Sequence, residues 1–322
     1  MAAQPPAIET ISLTRRYGRM VALDQLSLRV EQGSIYGFIG PNGAGKTTTL
    51  RLLAGLLAPS SGEIRMLGQK LQPGSGQRMV GYMPDFFGVY DDLRVWEYLD
   101  FFARCYGLEA QRRKRAVDEL LSLVDLSHKR DAYVQQLSRG MQQRLCLAHA
   151  LVHDPPVLLL DEPASGLDPR ARVELRELLR TLREMGKTIL LSSHILSELA
   201  EICTEIGIIE SGKMVVSGPV ETVRRQLQGG ARLRMRVLGE LEIALNILQE
   251  LIKKPIVELP QMHTVRPDYS DSQALIVECD QTDETQQAAL LSHLIVAGLR
   301  ISEFRPQAEN LEELFLRLTT EG

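Results

Sequence analysis

The chain has 322 residues, of which 44% are hydrophobic and 24% are charged, and its formal net charge is −4. This composition excludes a disordered or fibrous chain and supplies enough apolar residues for one large core or for two unequal ones. Because 37 basic residues are balanced by 41 acidic ones, the chain has no overall positive field, and we expect no nucleic-acid partner.

The spacing of the cysteines and the length of the apolar runs indicate the cellular compartment in which we expect the protein. The four cysteines show no Cys-x-x-Cys spacing, which argues against a disulfide framework or a zinc knuckle and favours a reducing compartment. Residues 1–6 lack the basic start and apolar stretch of a signal peptide, and the sequence has no run of about 18 apolar residues to span a bilayer. If the protein serves a membrane, we expect other chains to cross it.

The first predicted elements are strands that lead into a glycine-rich loop. Apolar and polar residues alternate from Ile8 to Val30, which indicates antiparallel strands. The apolar run Ile35–Ile39 predicts a buried strand that ends at Gly40. Leucines at helical spacing follow the loop, and Pro59 and Gly62 predict the end of that helix.

Residues from about 86 to 155 are predicted to form a helical subdomain. Helical periodicity runs from Val95 to Leu126, and a second helix is expected to follow Ser138 toward Val152. Buried parallel strands are predicted at Val157–Leu160 and Thr188–Leu191, with a charged helix, Arg170–Glu184, between them. A closing pair of strands is predicted within Ile206–Ser217.

Gly229 and Gly230 predict the boundary between a first domain, residues 1–228, and a C-terminal accessory domain, residues 231–322. In the second domain the periodicities change in the order βαββαβ, which is typical of ferredoxin-like α+β domains. The predicted strands are 232–237, 257–265, 274–279 and 299–304, the predicted helices are 241–252 and 291–295, and a final helix carries Leu311, Leu314, Phe315 and Leu318.

The first predicted strand of this accessory domain carries three arginines on one face, Arg232, Arg234 and Arg236. Such a row most often forms a solvated strand face that discourages edge pairing. Binding of a lipid headgroup or of an anionic effector is the alternative.

The segment from Gly40 to Thr47 has the spacing of a phosphate-binding P-loop, and it lies between a predicted strand and a predicted helix. Glycines allow backbone N–H groups to surround an anion, and the N-terminus of the helix adds positive charge. We expect Lys46 to neutralise the β and γ phosphates and Thr47 to contact Mg²⁺. The candidate nucleotide-binding residues of the loop are Gly40, Asn42, Gly43, Gly45, Lys46, Thr47 and Thr48.

Asp161 and Glu162 follow four apolar residues, at the end of a buried strand. This is the edge at which open α/β sheets bind their ligands. We expect Asp161 to face Mg²⁺ and Glu162 to orient the attacking water or to accept its proton. An acidic helix start is the alternative interpretation, which Pro163 and the segment Ser165–Asp168 disfavour.

The octapeptide Leu137–Arg144 lies between the loop and the acidic pair. With it, roughly the first two thirds of the chain resembles the ATP-binding subunits of ABC transporters. The resemblance implies an α/β P-loop NTPase cassette, in which a mixed sheet is accompanied by an antiparallel β subdomain and a helical subdomain. It also implies an ATPase that uses ATP and Mg²⁺ and dimerises with a second copy of itself, so that Ser138, Gly140 and Asp168 contact ATP bound by the other copy. Ser138 also suits a helix N-cap, and both roles can coexist.

Two further residues match functional positions of the family. Tyr17 matches the aromatic residue that stacks on adenine, and His194 matches the histidine that contacts the γ phosphate and holds the attacking water. A surface tyrosine and a structural histidine are the alternatives. His149 and His153, four residues apart, could bind zinc, but no third ligand is evident in the sequence.

Three residues depart from the family pattern. Arg139 and Met141 stand where glycine and glutamine are usual, and Arg139 could project toward the partner's ATP or, as we favour, into solvent. Asp85 stands where the family places a glutamine that senses Mg²⁺ and water. A carboxylate there could ligate Mg²⁺ through water but cannot donate a hydrogen bond. We therefore expect Asp85 to keep the coupling role while altering the metal dependence.

The resemblance implies integral membrane partner subunits and a cytoplasmic location, peripheral on the inner face of the membrane. The signature peptide, the segment 83–85 and the closing segment 311–315 resemble bacterial exporters of drugs, antibiotics or lipids. A helix of the membrane subunit is expected against the aromatic residues Phe86, Phe87, Tyr90 and Trp96, with core packing as the equal alternative. The rival function is an ABC-superfamily ATPase of translation or DNA repair, but those proteins generally carry two cassettes or a long coiled coil.

Overall fold

The computed structural model describes residues 4–72, 78–85, 88, 92–196, 199, 201–227, 231–268, 271–280 and 282–307. The chain divides into two compact units, Met1–Val223 and Arg224–Gly322. The glycine pair 229–230, the predicted final helix and the aromatic residues Phe86, Phe87 and Tyr90 lie outside the described residues.

One sheet of the first unit is antiparallel. Its strands are β1 (Ile8–Tyr17), β2 (Met20–Val30), β4 (Ser61–Met66) and β5 (Gln69–Lys70), in the order β2-β1-β4-β5. Along β2, Leu26, Leu28 and Val30 are buried while the residues between them are exposed. This alternation is typical of an antiparallel sheet with one face against the core.

The other sheet has six strands and carries the candidate site. They are β3 (Ile35–Ile39), β6 (Val80–Met83), β7 (Val157–Leu160), β8 (Thr188–Ser193), β9 (Glu205–Glu210) and β10 (Lys213–Pro219), in the order β10-β9-β3-β8-β7-β6. All neighbours are parallel except the β9–β10 pair. Every residue of β3, β7 and β8 is buried, as expected for parallel strands covered on both faces. The carboxyl ends of β3, β8 and β7 therefore lie side by side.

The structure describes six α-helices up to residue 227, of which α1, α4 and α5 contact this sheet. In chain order they are α1 (Lys46–Leu53), α2 (Val95–Cys105), α3 (Ala110–Leu123), α4 (Arg139–Leu151), α5 (Pro169–Glu184) and α6 (Val220–Leu227). In α5, Leu175, Leu178, Leu179 and Leu182 form one buried stripe at helical spacing. The helices α2, α3 and α4 lie between β6 and β7 in the chain, within the predicted helical subdomain.

Aromatic side chains, not metal ligands, surround the two histidines near the end of α4. The His149 ring lies 3.7 Å from that of Phe102, and the His153 ring stacks on Tyr106 at 3.9 Å. His153 Nε2 donates to the carbonyl of Val80 at 3.1 Å. Among the residues that the structure describes, no three His, Cys, Asp or Glu side chains cluster as a metal site would require. The pair therefore packs as part of the core.

We expect His149→Gln to flatten the acid dependence of stability. Burial, and then the charge of His153, lower the pKa of His149 from 6.5 to about 4. As the pH falls from 6.5 to about 4, the unfolded chain binds this proton before the folded chain does, so the free energy of unfolding falls by about 3 kcal/mol in total. Urea unfolding between pH 7 and pH 4 measures the slope. The exposed His128→Gln is the control, and an unchanged slope in His149→Gln would contradict the assignment.

From residue 231 onward, the described part of the second unit contains an antiparallel sheet and two helices. In chain order the elements are β11 (Ala231–Val237), α7 (Leu241–Lys253), β12 (Met262–Asp268), β13 (Asp271–Cys279), α8 (Glu284–Val296) and β14 (Ile301–Gln307). The sheet order is β12-β13-β11-β14. The predicted strand 257–265 begins too early, because Val257 is 97% exposed in a turn and Pro260, which cannot donate to a ladder, precedes β12.

Strand β11 lies inside this sheet, so its arginine row does not protect an edge as the sequence suggested. Arg234 is nearly buried, and its guanidinium donates to Asp268 at 2.8 Å, to Glu303 at 2.7 Å and to Asp271 at 3.1 Å. Arg236 also pairs with Asp271, at 3.2 Å. Carboxylates of the other three strands of the sheet therefore neutralise Arg234 and Arg236, which disfavours an anionic ligand on this face.

Candidate active site

The glycine loop after β3 has close backbone contacts that exclude larger residues. A Cβ on Gly40 would lie 2.4 Å from the carbonyl oxygen of Ile209. Gly45, the N-cap of α1, has φ +106°, and a Cβ there would lie 2.8 Å from the oxygen of Ala22. The Gly40 N–H donates to Ser193 O at 3.3 Å, which joins the ends of β3 and β8. The loop is thus held in a fixed form at the N-terminus of α1.

Lys46 is buried and its ammonium group folds over the loop. Its Nζ donates to Gly40 O at 2.6 Å and to Pro41 O at 3.2 Å. The same Nζ lies 3.4 Å from Glu162 Oε1. A buried cation therefore lies between the loop and the carboxylate that follows β7.

The acidic pair after β7 is positioned by β8. Asp161 is buried, and its Oδ1 accepts a hydrogen bond from Ser192 Oγ at 2.7 Å. Within the part of the chain that the structure describes, the buried Asp161 Oδ2 has no hydrogen-bond partner. Glu162 has φ +49°, and its N–H donates to Ser192 Oγ at 2.9 Å. One hydroxyl of β8 therefore contacts both residues of the acidic pair.

His194 follows β8 and meets Glu162. Its Nδ1 lies 3.0 Å from Glu162 Oε2, and its side chain is 48% exposed. A cleft of about 180 Å³ opens beside these two residues. Glu162 is thus shared between Lys46 and His194, with space for solvent or ligand next to it.

The predicted partner-facing residues lie at two helix N-termini. Ser138 caps α4, its Oγ accepting from the Met141 N–H at 3.4 Å. Asp168 caps α5, its Oδ1 accepting from the Ala171 N–H at 2.9 Å. A Cβ on Gly140 would contact the Ala171 side chain at 3.5 Å. Ser138 and Asp168 are both exposed, and the structure does not bring them to the site around Lys46 by any described contact.

Comparisons with known proteins agree with this arrangement. The family described as ABC transporter matches residues 23–165. The Nod factor export ATP-binding protein I of Ralstonia nicotianae is 37% identical over 320 residues, which cover 98% of this chain and 94% of that protein. This chain belongs to the ABC transporter ATP-binding proteins. The bacitracin transport ATP-binding protein BcrA of Bacillus licheniformis is 35% identical over 318 residues, covering 98% of each chain.

A solved structure, an ATP-binding subunit of an ABC transporter, matches this ABC ATPase with a TM-score of 0.62 and 32% identity, covering 68% of this chain and 92% of the other. The predicted family, the nucleotide-binding α/β cassette fold and the ATPase activity are thereby confirmed. ABC ATP-binding subunits work with membrane partners. In the described part of this chain, every helix is too short or too polar to cross a membrane.

Two aromatic residues of this ABC ATPase, Tyr17 and Trp96, are contacted by arginines that the sequence analysis did not identify. Tyr17 is 41% exposed, and the Arg15 guanidinium lies 4.6 Å from its ring centroid. Arg15 Nη1 in turn donates to Ala58 O at 2.7 Å. The Arg130 guanidinium lies 5.3 Å from the Trp96 ring in the same manner. One face of the Tyr17 ring is therefore already covered by a cation.

Arg139 packs on its own chain, although the residue as a whole is exposed. A Cβ on Gly166 would lie 2.3 Å from the Arg139 guanidinium carbon, so the guanidinium lies against this glycine. Close by, Gln143 Nε2 donates to Ser165 O at 3.1 Å. Arg139 thus supports the loop before α5, and our expectation that it projects freely into solvent was incomplete. Sequence spacing could not show this contact because it depends on how α4 packs against that loop.

We expect Arg139→Gly, which restores the usual family residue, to loosen the loop before α5. Amide hydrogen exchange at residues 164–168 should accelerate, while the free energy of unfolding falls by no more than about 1 kcal/mol, the cost of a glycine in a helix. Exchange measured by mass spectrometry tests this. Arg170→Gly is the control, because its 90% exposed side chain pairs only along α5 in the described contacts. Equal exchange in wild type and Arg139→Gly would contradict the contact.

Asp85 is exposed and lies two residues after β6. Burial, and then the negative charge of Asp161, raise the pKa of the Tyr82 hydroxyl, and Asp85 adds to this effect. The two carboxylates therefore act on one side chain from the same edge of the sheet. Thr47 and Thr48 lie half-buried in the first turn of α1.

Proposed function

We propose that this ABC ATPase hydrolyses ATP to power export through separate membrane-spanning subunits. The position of Glu162 supports this chemistry, because the structure holds its carboxylate between His194 and the buried Lys46. Two relatives that match almost the whole chain are named for Nod factor export and bacitracin transport, which favours transport over translation or DNA repair. A drug, antibiotic or lipid-like compound is the cargo class that we propose.

The residues of the loop would hold the nucleotide. The N-terminus of α1 presents backbone N–H groups, which suit an anion, and close contacts of Gly40 and Gly45 with the rest of the chain hold the loop in place. Lys46 would exchange its bonds to the carbonyls of Gly40 and Pro41 for bonds to the β and γ phosphates. Tyr17 would offer its free ring face to adenine, with Arg15 on the other. The full set proposed for the nucleotide is Tyr17, Gly40, Asn42, Gly43, Gly45, Lys46, Thr47 and Thr48.

The donor set fits Mg²⁺. Asp161 Oδ2 is a buried carboxylate oxygen without a hydrogen-bond partner in the described structure, which is costly unless a cation or water is bound there. We propose that Asp161 and the Thr47 hydroxyl hold Mg²⁺ and that Asp85 reaches it through water. When bound, the ion would neutralise phosphate charge.

Glu162 and His194 would act on the attacking water. Glu162 is a carboxylate beside a cleft, so it can orient water and accept its proton. His194 Nδ1 lies against Glu162, which fixes the ring and leaves Nε2 for the γ phosphate or the water. Phosphoryl transfer requires such positioning more than covalent catalysis.

A second copy of the chain would complete each site. Ser138 is an exposed cap at the N-terminus of α4, whose positive end is suited to meet phosphate, and Asp168 is the exposed cap of α5. Gly140 lies in the first turn of α4, where the absence of a side chain allows close approach. We propose that Ser138, Gly140 and Asp168 contact ATP bound by the partner, so that closure of the dimer precedes hydrolysis.

Co-purification tests the proposal. Tagged protein isolated from membranes should carry an integral membrane protein of several spans, and candidate cargo compounds should stimulate the ATPase activity of that complex. The proposal would be contradicted if the protein co-purified with ribosomes or repair proteins and if no membrane fraction changed its ATPase activity.

Asp85→Gln should change the metal requirement. If Asp85 reaches Mg²⁺ through water, its loss should raise the Mg²⁺ concentration for half-maximal ATPase activity by up to about 10-fold. This is the lower end of the range for residues that act on a metal through one of its ligands. A titration of Mg²⁺ at saturating ATP measures this, with the exposed Asp118→Asn as control. An unchanged rate and an unchanged Mg²⁺ requirement would count against the role.

A further inference from the structure

Ser192 lies near the carboxyl end of β8, where its hydroxyl contacts both members of the acidic pair. We infer that Ser192 is a positioning residue for Mg²⁺-dependent hydrolysis, a role that rests on the proposed function. Its hydroxyl determines which carboxylate oxygen of Asp161 is available to a cation, and it holds the backbone of Glu162 in place. Ser192 is fully buried in β8.

The hydrogen-bond pattern uses the hydroxyl in both directions. Ser192 Oγ donates its single proton to Asp161 Oδ1 at 2.7 Å and accepts from the Glu162 N–H at 2.9 Å. The parallel register pairs Leu160 with Leu191, so that Asp161 and Ser192 follow as neighbours at the carboxyl ends of their strands. The Asp161 N–H donates to Met83 O at 2.8 Å, which fixes its backbone as well.

The first consequence concerns the cation. Because Ser192 occupies Oδ1, the buried Oδ2 is the oxygen of Asp161 left without a described partner. The carboxylate is therefore presented to a cation through one defined oxygen. An outer group that orients a metal ligand in this way usually accounts for a 10–100-fold difference in metal affinity or activity.

The second consequence concerns the catalytic carboxylate. Glu162 has a positive φ of 49°, a conformation unfavourable for a residue with a Cβ. The bond from the Glu162 N–H to Ser192 stabilises this conformation, in which the side chain lies between Lys46 and His194. Loss of the hydroxyl should therefore affect turnover through Glu162 and metal affinity through Asp161.

The test compares Ser192→Ala with wild type and with Ser193→Ala. Ser193 is the adjacent buried serine, and its described side-chain bond is to the Ile195 N–H, outside the acidic pair. For Ser192→Ala, we expect kcat to fall and the Mg²⁺ concentration for half-maximal activity to rise, each by about 10-fold or more. Calorimetric binding of the non-hydrolysable analogue AMP-PNP should weaken about 10-fold with Mg²⁺ and remain within 2-fold of wild type in EDTA. Ser193→Ala should match wild type in all four measurements.

A merely structural hydroxyl would give a different result. If Ser192→Ala folds and shows wild-type kcat and Mg²⁺ dependence, the inference is wrong, and equal weakening of AMP-PNP binding with and without Mg²⁺ also overturns it. Ser192→Cys retains the buried volume with a weaker donor and should fall between serine and alanine, so it decides the question if alanine unfolds the chain. If wild type itself shows no Mg²⁺-dependent hydrolysis, the proposed function fails instead.

Discussion

Glu162→Gln is expected to reduce kcat for ATP by about 10²-fold or more, the usual contribution of a positioned general base. The amide has nearly the same shape, so it should remain between Lys46 and His194, which lie 3.4 Å and 3.0 Å from the two carboxylate oxygens. It cannot accept the proton of water as a carboxylate does. ATP binding should not weaken, because removing the negative charge frees Lys46 from a competing partner of the phosphates.

Steady-state ATPase assays and equilibrium binding of ATP separate the two effects of Glu162→Gln. The proposed dimer adds a third readout, since in the presence of ATP the variant should accumulate as a dimer in light scattering. Glu63→Gln is a suitable control, because Glu63 pairs with Arg65 and Lys70 on the surface of the antiparallel sheet. More than half of the wild-type kcat in Glu162→Gln would exclude Glu162 as the base.

The sequence predicted the cassette and the main site residues because their chemistry is local. A glycine loop before a helix, and carboxylates after an apolar strand, each predict a position at the end of a strand. Parallel strands share one carboxyl edge, so Lys46, Glu162 and His194 could be expected near each other. The structure adds their actual distances, and it shows that Glu162 is shared between the other two.

The roles of Ser192 and Arg139 could not be predicted, since they depend on packing between distant segments. Ser192 meets Asp161 because of the β7–β8 register, and an apolar run does not encode its register with a parallel neighbour. Its polarity within a buried strand was the available signal. Arg139 was judged by its helix alone, while the contact with Gly166 comes from another loop. The strands β4 and β5 were not predicted either, because they are too short to show a clear periodicity.

Lys46→Met is expected to weaken ATP binding by about 10–100-fold, which corresponds to the loss of one or two charge-assisted hydrogen bonds. The ammonium group is buried and held by Gly40 O and Pro41 O, so it already lies at the mouth of the loop. Methionine fills similar volume without charge. The thermal stability of the protein without ATP should fall, because the two hydrogen bonds of a buried ammonium group are lost, and the stabilisation by ATP should shrink strongly.

The size of this loss follows from mass action. At an ATP concentration of 100 times the wild-type Kd, bound ATP stabilises the protein by about 2.7 kcal/mol, and a 100-fold weaker Kd reduces this to about 0.4 kcal/mol. Lys187→Met is the matched control: Lys187 is also buried and pairs with Asp154, but it precedes β8 at the opposite end of the sheet. That variant should lower stability without ATP and keep the full ATP-dependent shift. If both lysine variants lost the shift equally, the loss would reflect damaged packing, and the phosphate role of Lys46 would be excluded.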